Sequence, residues 1–491
     1  MNYALILKVL SLLFAIMASA FSICAGLSAW NASTSVLEGE ALPAWISIIA
    51  LSVLLAFAFF LPSRTAKGKL FKKDALCIVG IGWTTASLLG AVPYIMILDA
   101  PFSVAFFEST SGLTTTGASV FGNFADFPES LMFWRCLSHW IGGLGVIVFF
   151  VAILSFLGSD GRTLYSNETS ANSGGGVETE RIRTAIIKII GIYLLISISC
   201  LACFKFCGMG WFDGICHMFS TVATGGFSVY ENSISHYNSN LIYWIVAFFM
   251  FVGGISFPLM ILIWRGNLRR ALQNTEFATY VIILLIASVA ITTMLYSNAE
   301  LTLSDSLTYA TFSAVSVMTT TGYMCADYGA WIPMTSAILF ALMMIGGCAG
   351  STSGGIKVSR LIVSFNLCKS HIEKSFRPHV VRSININGKV IDDKSAYDVL
   401  SYITLFSLIA LASVVIVSVL EPSLSLEDAI TAALASLNNI GPGFGKVGPA
   451  ENYGFVSASA KIFLSILMIM GRLEFYAILA LFMPSVWKKF E

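Results

Sequence analysis

Apolar and polar positions alternate along this chain on two length scales. About ten apolar stretches are long enough to cross a bilayer, given roughly 20 residues per crossing. Between them lie shorter apolar runs that cannot span. The first two long stretches are Leu5–Leu27 and Ala44–Leu61. Four units of like construction follow: long helix, short helix, glycine-bearing strand, long helix. In the first, Ala75–Leu98 crosses, Ser103–Leu113 re-enters and Leu131–Phe156 returns. In the second these parts are Ala185–Phe206, Trp211–Val222 and Leu241–Trp264. In the third they are Phe277–Tyr296, Asp305–Thr319 and Trp331–Cys368, the last interrupted in its middle. In the fourth they are Ala396–Leu420, Leu426–Asn438 and Ser457–Phe482. This predicts an all-α polytopic membrane protein with four pseudo-repeated helix–pore-loop–helix units and an N-terminal helix pair. The corresponding divisions are residues 1–72, 73–157, 158–264, 265–368 and 369–491.

Backbone amides in the short segments survive at membrane depth only where protein or water surrounds them. Their starts carry capping chemistry: Ser425 with Asp428 fits a capping box, and Asp213 and Asp305 fall in first turns. Each short helix ends at its glycine strand. Its negative dipole end therefore points there and favours a cation.

The four strands share a pattern. They are Thr114-Thr115-Thr116-Gly117-Ala118-Ser119, Ala223-Thr224-Gly225-Gly226-Phe227, Thr320-Thr321-Gly322-Tyr323 and Asn439-Ile440-Gly441-Pro442-Gly443. The expected central glycines are Gly117, Gly225, Gly322 and Gly441. A strand that turns successive carbonyls to one side alternates its dihedrals, and glycine visits the left-handed region without a Cβ clash. Carbonyls stacked in this way replace the water around a dehydrated cation, as in the Thr-Val-Gly-Tyr-Gly loops of potassium channels. The plain alternative is four helix-ending glycines in loops.

Composition agrees with the membrane assignment. The 491 residues are 57% hydrophobic and 11% charged, with a mean hydropathy of +0.82; soluble domains carry about 25% charged residues. Leu5–Leu27, with Lys8 on its flank, resembles a signal segment. It is too long for one, and a second apolar stretch follows at once, so it reads as a retained helix. The net charge of +1 says nothing of partners, but the placement of charge does. Arg64, Lys67, Lys69, Lys72, Lys73, Arg162, Arg181, Arg183, Arg265, Arg269, Arg270, the segment 357–394, Lys488 and Lys489 all fall on one side, with the N-terminus. That side is expected to be cytoplasmic. Glu38, Glu40, Asp126, Glu129, Glu231, Asp327 and Glu451 fall on the other, with Lys446 as the main exception. They read either as a cation-concentrating rim or as an ordinary solvated surface. Gly158–Glu180 reads as a flexible linker and Lys369–Lys394 as a basic loop with an Asn387-Gly388 turn. The latter is a plain positive-inside loop or a docking surface for a regulatory subunit.

Two features stand apart. The run Ile345 to Gly355 puts five glycines, two serines and a threonine among its residues. Each glycine costs roughly 1 kcal/mol against alanine in a helix interior. The run should break the helix, and the freed amides must then face water or protein. Beneath the third strand it would lie across a permeation path; the alternative is close helix packing through small residues. Arg472 lies in the last apolar stretch, where a charge is costly and faces a cavity or a partner. Facing a pore, it would oppose cations. Glu474, two positions on, points elsewhere and is not its partner. Lys461 is expected to snorkel outward, and Arg135 occupies the equivalent region of the first unit.

No catalytic constellation stands out. Gly441–Val447 lacks the ending of a phosphate loop. The histidines His139, His217, His236, His371 and His379 are scattered, and the ten cysteines lack metal spacing. Cys200, Cys203 and Cys207 read as small buried residues.

The chain resembles the TrkH-type membrane subunit of the bacterial Trk/Ktr potassium uptake family along nearly its whole length. The resemblance rests on Ser111–Ala118, Thr224–Ser228, Thr319–Tyr323, Gly346–Ser351, Asn438–Gly443 and Gly471-Arg472-Leu473-Glu474. It implies one pore per chain in a homodimer, potassium as the permeant ion and regulation by a cytoplasmic TrkA-type nucleotide-binding ring. It implies no organic cofactor and no catalysis. Ion-coordinating carbonyls would come from Thr115, Thr116, Gly117, Ala223, Thr224, Gly225, Thr320, Thr321, Gly322, Asn439, Ile440 and Gly441. Gly346, Gly347, Ala349, Gly350 and Ser351 would form a gating loop, with Arg472 facing the pore. Only the fourth strand keeps a second glycine two residues on, Gly443, so discrimination against sodium is less secure than in potassium channels. An inverted-repeat solute transporter is a competing class, disfavoured because the four units share one orientation. A membrane enzyme is another, disfavoured by the lack of clustered acids, bases or metal ligands. Channel-like flux and proton- or sodium-coupled uptake are not separated by the sequence.

Overall fold

The structure, a computed structural model, describes residues 3–65, 72–156, 175–298, 301–378, 384–387 and 389–487. Of the stretch read as a flexible linker, residues 158–174 lie outside this set, as do Lys67, Lys69, Arg162, Lys488 and Lys489. Residues 175–180 begin the long helix Gly175–Phe206, so the linker reading does not hold for them.

The N-terminal pair, Tyr3–Asn31 and Val36–Ser63, packs on the first unit. Phe21 meets Trp134 at 4.6 Å between ring centroids. Buried Glu38 accepts from the Ser130 amide and hydroxyl, both at 2.7 Å. One carboxylate thereby satisfies an orphan amide at the start of the helix Glu129–Phe156.

All four short helices form: Phe102–Leu113, Trp211–Val222, Leu303–Met318 and Leu426–Leu437. The Ser425–Asp428 capping box is present. Thr302 caps the third helix by accepting from the Asp305 amide at 3.1 Å. The helices leading into the units are Lys72–Leu98, Gly175–Phe206, Thr275–Asn298 and Asp393–Leu420.

Two of the four returning helices depart from expectation. Among the described residues six helices are long and apolar enough to cross a membrane, or seven if one bent pair counts as a span. The second unit's return, expected to be continuous over Leu241–Trp264, is two helices, Asn240–Gly253 and Phe257–Trp264, bent by 100°. Gly253, Gly254 and Pro258 mark the break, where glycine weakens the helix and proline withholds an amide. The third return breaks as expected, between Pro333–Met343 and Val358–Phe376. The fourth, expected over Ser457–Phe482, stops at Arg472 and resumes as Tyr476–Leu481. Glu474 and Phe475 between them have φ of 54° and 63°. Arg472 therefore ends a helix and does not lie within one.

Beyond Val358–Phe376, strands Ile384–Ile386 and Lys389–Ile391 pair antiparallel, with Ile386 opposite Lys389 and Asn387 at φ 52° in the turn. The ten cysteines are unpaired: Cys200 is buried, while Cys203 and Cys207 are half-buried.

Candidate ion pathway

Each short helix ends in the same way. Its last helical residue is followed by Thr114, Ala223, Thr319 or Asn438 as C-cap. The next residue has positive φ: Thr115 52°, Thr224 52°, Thr320 57° and Asn439 56°. The amide after that returns to the helix. Thr116, Gly225 and Thr321 donate to the carbonyls of Ser111, Ser220 and Ser316 at 2.8 Å, and Ile440 to Ala435 at 2.9 Å. A glycine with positive φ then closes the turn: Gly117 81°, Gly226 87°, Gly322 77° and Gly441 95°. Non-glycine residues at positive φ are uncommon. Four at one structural position mark a shared backbone device.

This places three strands in the expected register and corrects the second. The equivalent triplets are Thr115-Thr116-Gly117, Thr224-Gly225-Gly226, Thr320-Thr321-Gly322 and Asn439-Ile440-Gly441. The central glycine of the second strand is Gly226, and Ala223 is the helix cap rather than the first strand residue. Adjacent glycines hide this in the sequence, but counting from the helix end reveals it: the positive-φ residue is always second after the last helical one.

The strands close a ring in sequence order. The place a Cβ would take on Gly117 is filled by the carbonyl oxygen of Gly225, and that on Gly226 by the oxygen of Thr321. For Gly322 it is the oxygen of Ile440, and for Gly441 the oxygen of Thr116. The carbonyl before each central glycine thus abuts the preceding strand's glycine, and the fourth strand returns to the first. Asn439 Nδ2 reinforces that closure by donating to Thr116 Oγ1 at 3.0 Å and to the Met468 carbonyl at 2.8 Å. Hydroxyl pairs brace two strands, Thr114 with Thr116 and Thr319 with Thr321, each at 2.7 Å. The Gly441 carbonyl is already engaged, accepting from the Tyr453 hydroxyl at 2.9 Å.

The loop from Gly346 to Gly355 touches this ring. The Gly354 amide donates to Thr320 Oγ1 at 2.7 Å, and Thr224 Oγ1 lies 3.2 Å from Thr352 Oγ1. The loop's amides are paired with the break in the second unit. Cys348 donates to the Gly254 carbonyl at 2.9 Å, Phe257 to the Gly350 carbonyl at 3.0 Å and Thr352 to the Gly253 carbonyl at 3.3 Å. The two broken helices therefore satisfy each other's exposed backbone. Buried Glu276 accepts from the amides of Ala349 at 2.7 Å and Ser359 at 3.2 Å. Lys357 Nζ donates to the carbonyls of Ser353 and Gly354. Of the expected gating residues, Gly346, Gly347, Ala349, Gly350 and Ser351 are all buried in this loop.

Arg472 reaches the same loop. It is 5% exposed, and its Nη1 donates to the Thr352 carbonyl at 2.7 Å. Among the described residues its Nε and Nη2 have no hydrogen-bond partner. Glu474 pairs instead with Arg360 at 2.6 Å. Two cations differ from expectation or extend it. Lys461 does not snorkel; it is buried, and Nζ donates to the carbonyls of Gly454 at 2.8 Å and Val456 at 2.7 Å, pinning the outer loop before its own helix. Arg135 is buried and paired with Glu108 at 2.6 Å. Glu108 also accepts from the Val120 amide at 3.0 Å. The sequence signal for that pair was a buried charge on each of two apolar helices of one unit.

A ring of backbone carbonyls at the ends of four short helices, inside a multi-pass helical protein, is the architecture of a membrane transport protein and not of an enzyme. The family model described as "TrkH: Cation transport protein" matches residues 44–489. The chain is 32% identical over 450 residues to the Trk system potassium uptake protein TrkH of Halomonas elongata, covering 91% of this chain and 92% of that one. It is 32% identical over 436 residues to the protein of the same name from Escherichia coli K12, covering 87% and 89%. The crystal structure of the potassium transporter TrkH from Vibrio parahaemolyticus superposes with a TM-score of 0.89 at 27% identity, covering 99% of this chain and all of the other. The chain belongs to the TrkH family of cation transport proteins. It is a multi-pass inner-membrane protein.

Proposed function

We propose that this chain carries potassium ions across the membrane through the ring, as the membrane subunit of a Trk-type uptake system. Dehydrated ions are coordinated by backbone carbonyls of Thr115, Thr116 and Gly117, of Thr224, Gly225 and Gly226, of Thr320 and Thr321 with Gly322, and of Asn439 and Ile440. The carbonyl of Ala223, which the sequence places among the contributors, accepts from Thr224 Oγ1 at 2.7 Å and is left out of this set. Gly441 contributes its backbone turn, since its carbonyl is held by Tyr453. The observation that carries the reading is the closed order of the ring, in which every central glycine abuts the carbonyl of the next strand. Such closure sets the carbonyls of four unequal strands around one axis.

The loop from Gly346 to Gly355 acts as the gate and Arg472 as its tether. The functional unit is a homodimer with a cytoplasmic TrkA-type nucleotide-binding ring, and the N-terminus faces the cytoplasm. The Trk-system names of the relatives support a regulatory partner, and the placement of Lys and Arg supports the orientation.

Flux of labelled rubidium into proteoliposomes tests the proposal. Uptake down the rubidium gradient with no proton or sodium gradient imposed is the expected result. Uptake that appears only with such a gradient overturns the passive pathway and makes the protein a coupled symporter.

A further inference from the structure

The second strand differs from the other three in lacking a side chain where they have one. Gly225 occupies the position held by Thr116, Thr321 and Ile440. Its C-cap neighbour, Ala223, has no hydroxyl to match Thr114 or Thr319, so the hydroxyl brace found at 2.7 Å in the first and third strands is missing here. The space is nevertheless filled. A Cβ built on Gly225 would collide with the imidazole of His139, a wholly buried residue of the first unit's return helix.

The imidazole touches the second unit at three points around the central Gly226. It backs Gly225. It stacks on Phe227, with centroids 4.1 Å apart and planes 18° from parallel. Its Nδ1 lies 3.3 Å from the hydroxyl of Ser220, the residue whose carbonyl accepts the Gly225 amide. One turn earlier on the same helix face, Arg135 places its guanidinium 3.6 Å from the Phe227 ring centroid and donates to the Ser228 carbonyl at 2.8 Å. Phe227 thus sits against both, and residues 225 to 228 are held from behind by one face of a helix from the neighbouring unit.

We propose that His139 is a positioning residue that stands in for the side chain the second strand lacks, so that ion discrimination by the ring depends on it. This rests on the reading of the ring as an ion filter. Removing the imidazole leaves a void behind Gly225, which is free to adopt other dihedrals. A side chain restored on the strand itself should refill the space.

The test measures potassium and sodium flux in proteoliposomes for His139→Ala, for His139→Ala with Gly225→Thr, for Gly225→Ala and for Gly322→Ser. The first is expected to lower the potassium-to-sodium ratio by about 10-fold, the scale of a small misfit in a selective site. The double variant is expected to recover most of that ratio. Gly225→Ala with His139 in place is expected to lose it through collision. An unchanged ratio in His139→Ala, with Gly322→Ser altered, overturns the role of His139 and leaves the filter reading standing. Unchanged ratios in both overturn the filter reading. Should His139→Ala fail to insert, the double variant decides: if it is unselective, or also fails to insert, a side chain on the strand does not replace the imidazole and the inference is wrong.

Discussion

Arg472 donates from Nη1 to the carbonyl oxygen of Thr352 at 2.7 Å, joining the end of the fourth unit's return helix to the loop that interrupts the third. The bond makes the guanidinium a tether as well as a charge. A hydrogen bond to a charged group contributes about 1.5–3 kcal/mol, enough to shift the open fraction of a two-state loop by roughly tenfold or more. Arg472→Ala is expected to raise flux in the absence of any cytoplasmic partner. Arg472→Lys keeps the charge but loses the planar fork, so its flux should fall between Ala and wild type. Rubidium uptake by the three proteins at equal insertion checks this. If both variants match wild type, Arg472 does not restrain the loop.

Glu276 holds the loop from another side. Its carboxylate accepts from Ala349 within the loop and from Ser359 in the first turn of the helix that follows it. Glu276→Ala leaves buried amides unsatisfied, at about 1–3 kcal/mol each. Partner-independent flux is expected to rise. Glu276→Gln retains an acceptor oxygen and should stay near wild type. Equal flux in the Ala and Gln variants would count against the hydrogen bonds as the restraint.

At the ring, the corrected register makes a specific claim. Gly117 and Gly322 have positive φ and no room for a Cβ. A side chain in the left-handed region costs about 1–2 kcal/mol before any collision. Gly117→Ser and Gly322→Ser are expected to weaken potassium preference before they abolish folding, and Gly226→Ser should behave as they do. Growth of a potassium-uptake-deficient host on low potassium, with sodium flux alongside, is the assay. Wild-type selectivity in two well-expressed variants would sink the filter assignment.

The buried pair of Arg135 and Glu108 is predicted to matter for stability. Removing one partner leaves an uncompensated buried charge, at about 3–5 kcal/mol. Arg135→Ala is expected to lower the thermal unfolding temperature in detergent sharply. Exchanging both for apolar residues of similar volume should restore much of it. A single variant as stable as wild type would show that the pair is dispensable.

How much of this was legible in the sequence depends on the range of the interaction. The short helices were, because each is a local apolar run with its own cap: Trp211–Val222 was expected and found with identical bounds. The break at Gly346–Gly355 was, because consecutive small residues leave no helical face. The break after Gly253 was not, although Gly253, Gly254 and Pro258 were in plain view. Hydropathy averaged across the bend stays high, and the carbonyls that the break presents are satisfied by a loop nearly a hundred residues away. Lys461 was misplaced for the same reason. Its partners are carbonyls of the loop before it, and no pattern in the sequence announces a carbonyl's direction. The slip at Gly225 arose where two glycines left the backbone, rather than the letters, to decide which one turns.

The ring is made by a single chain. A homotetrameric ring repeats any substitution four times, so that a tolerable strain in one strand is met as four strains at once. Here each quadrant is inherited separately. The second has Gly225, backed by His139, where the first and third have a threonine, and the fourth has Asn439 and Ile440 in place of the two threonines. If the ring is the proposed filter, its ion preference is open to adjustment one quarter at a time.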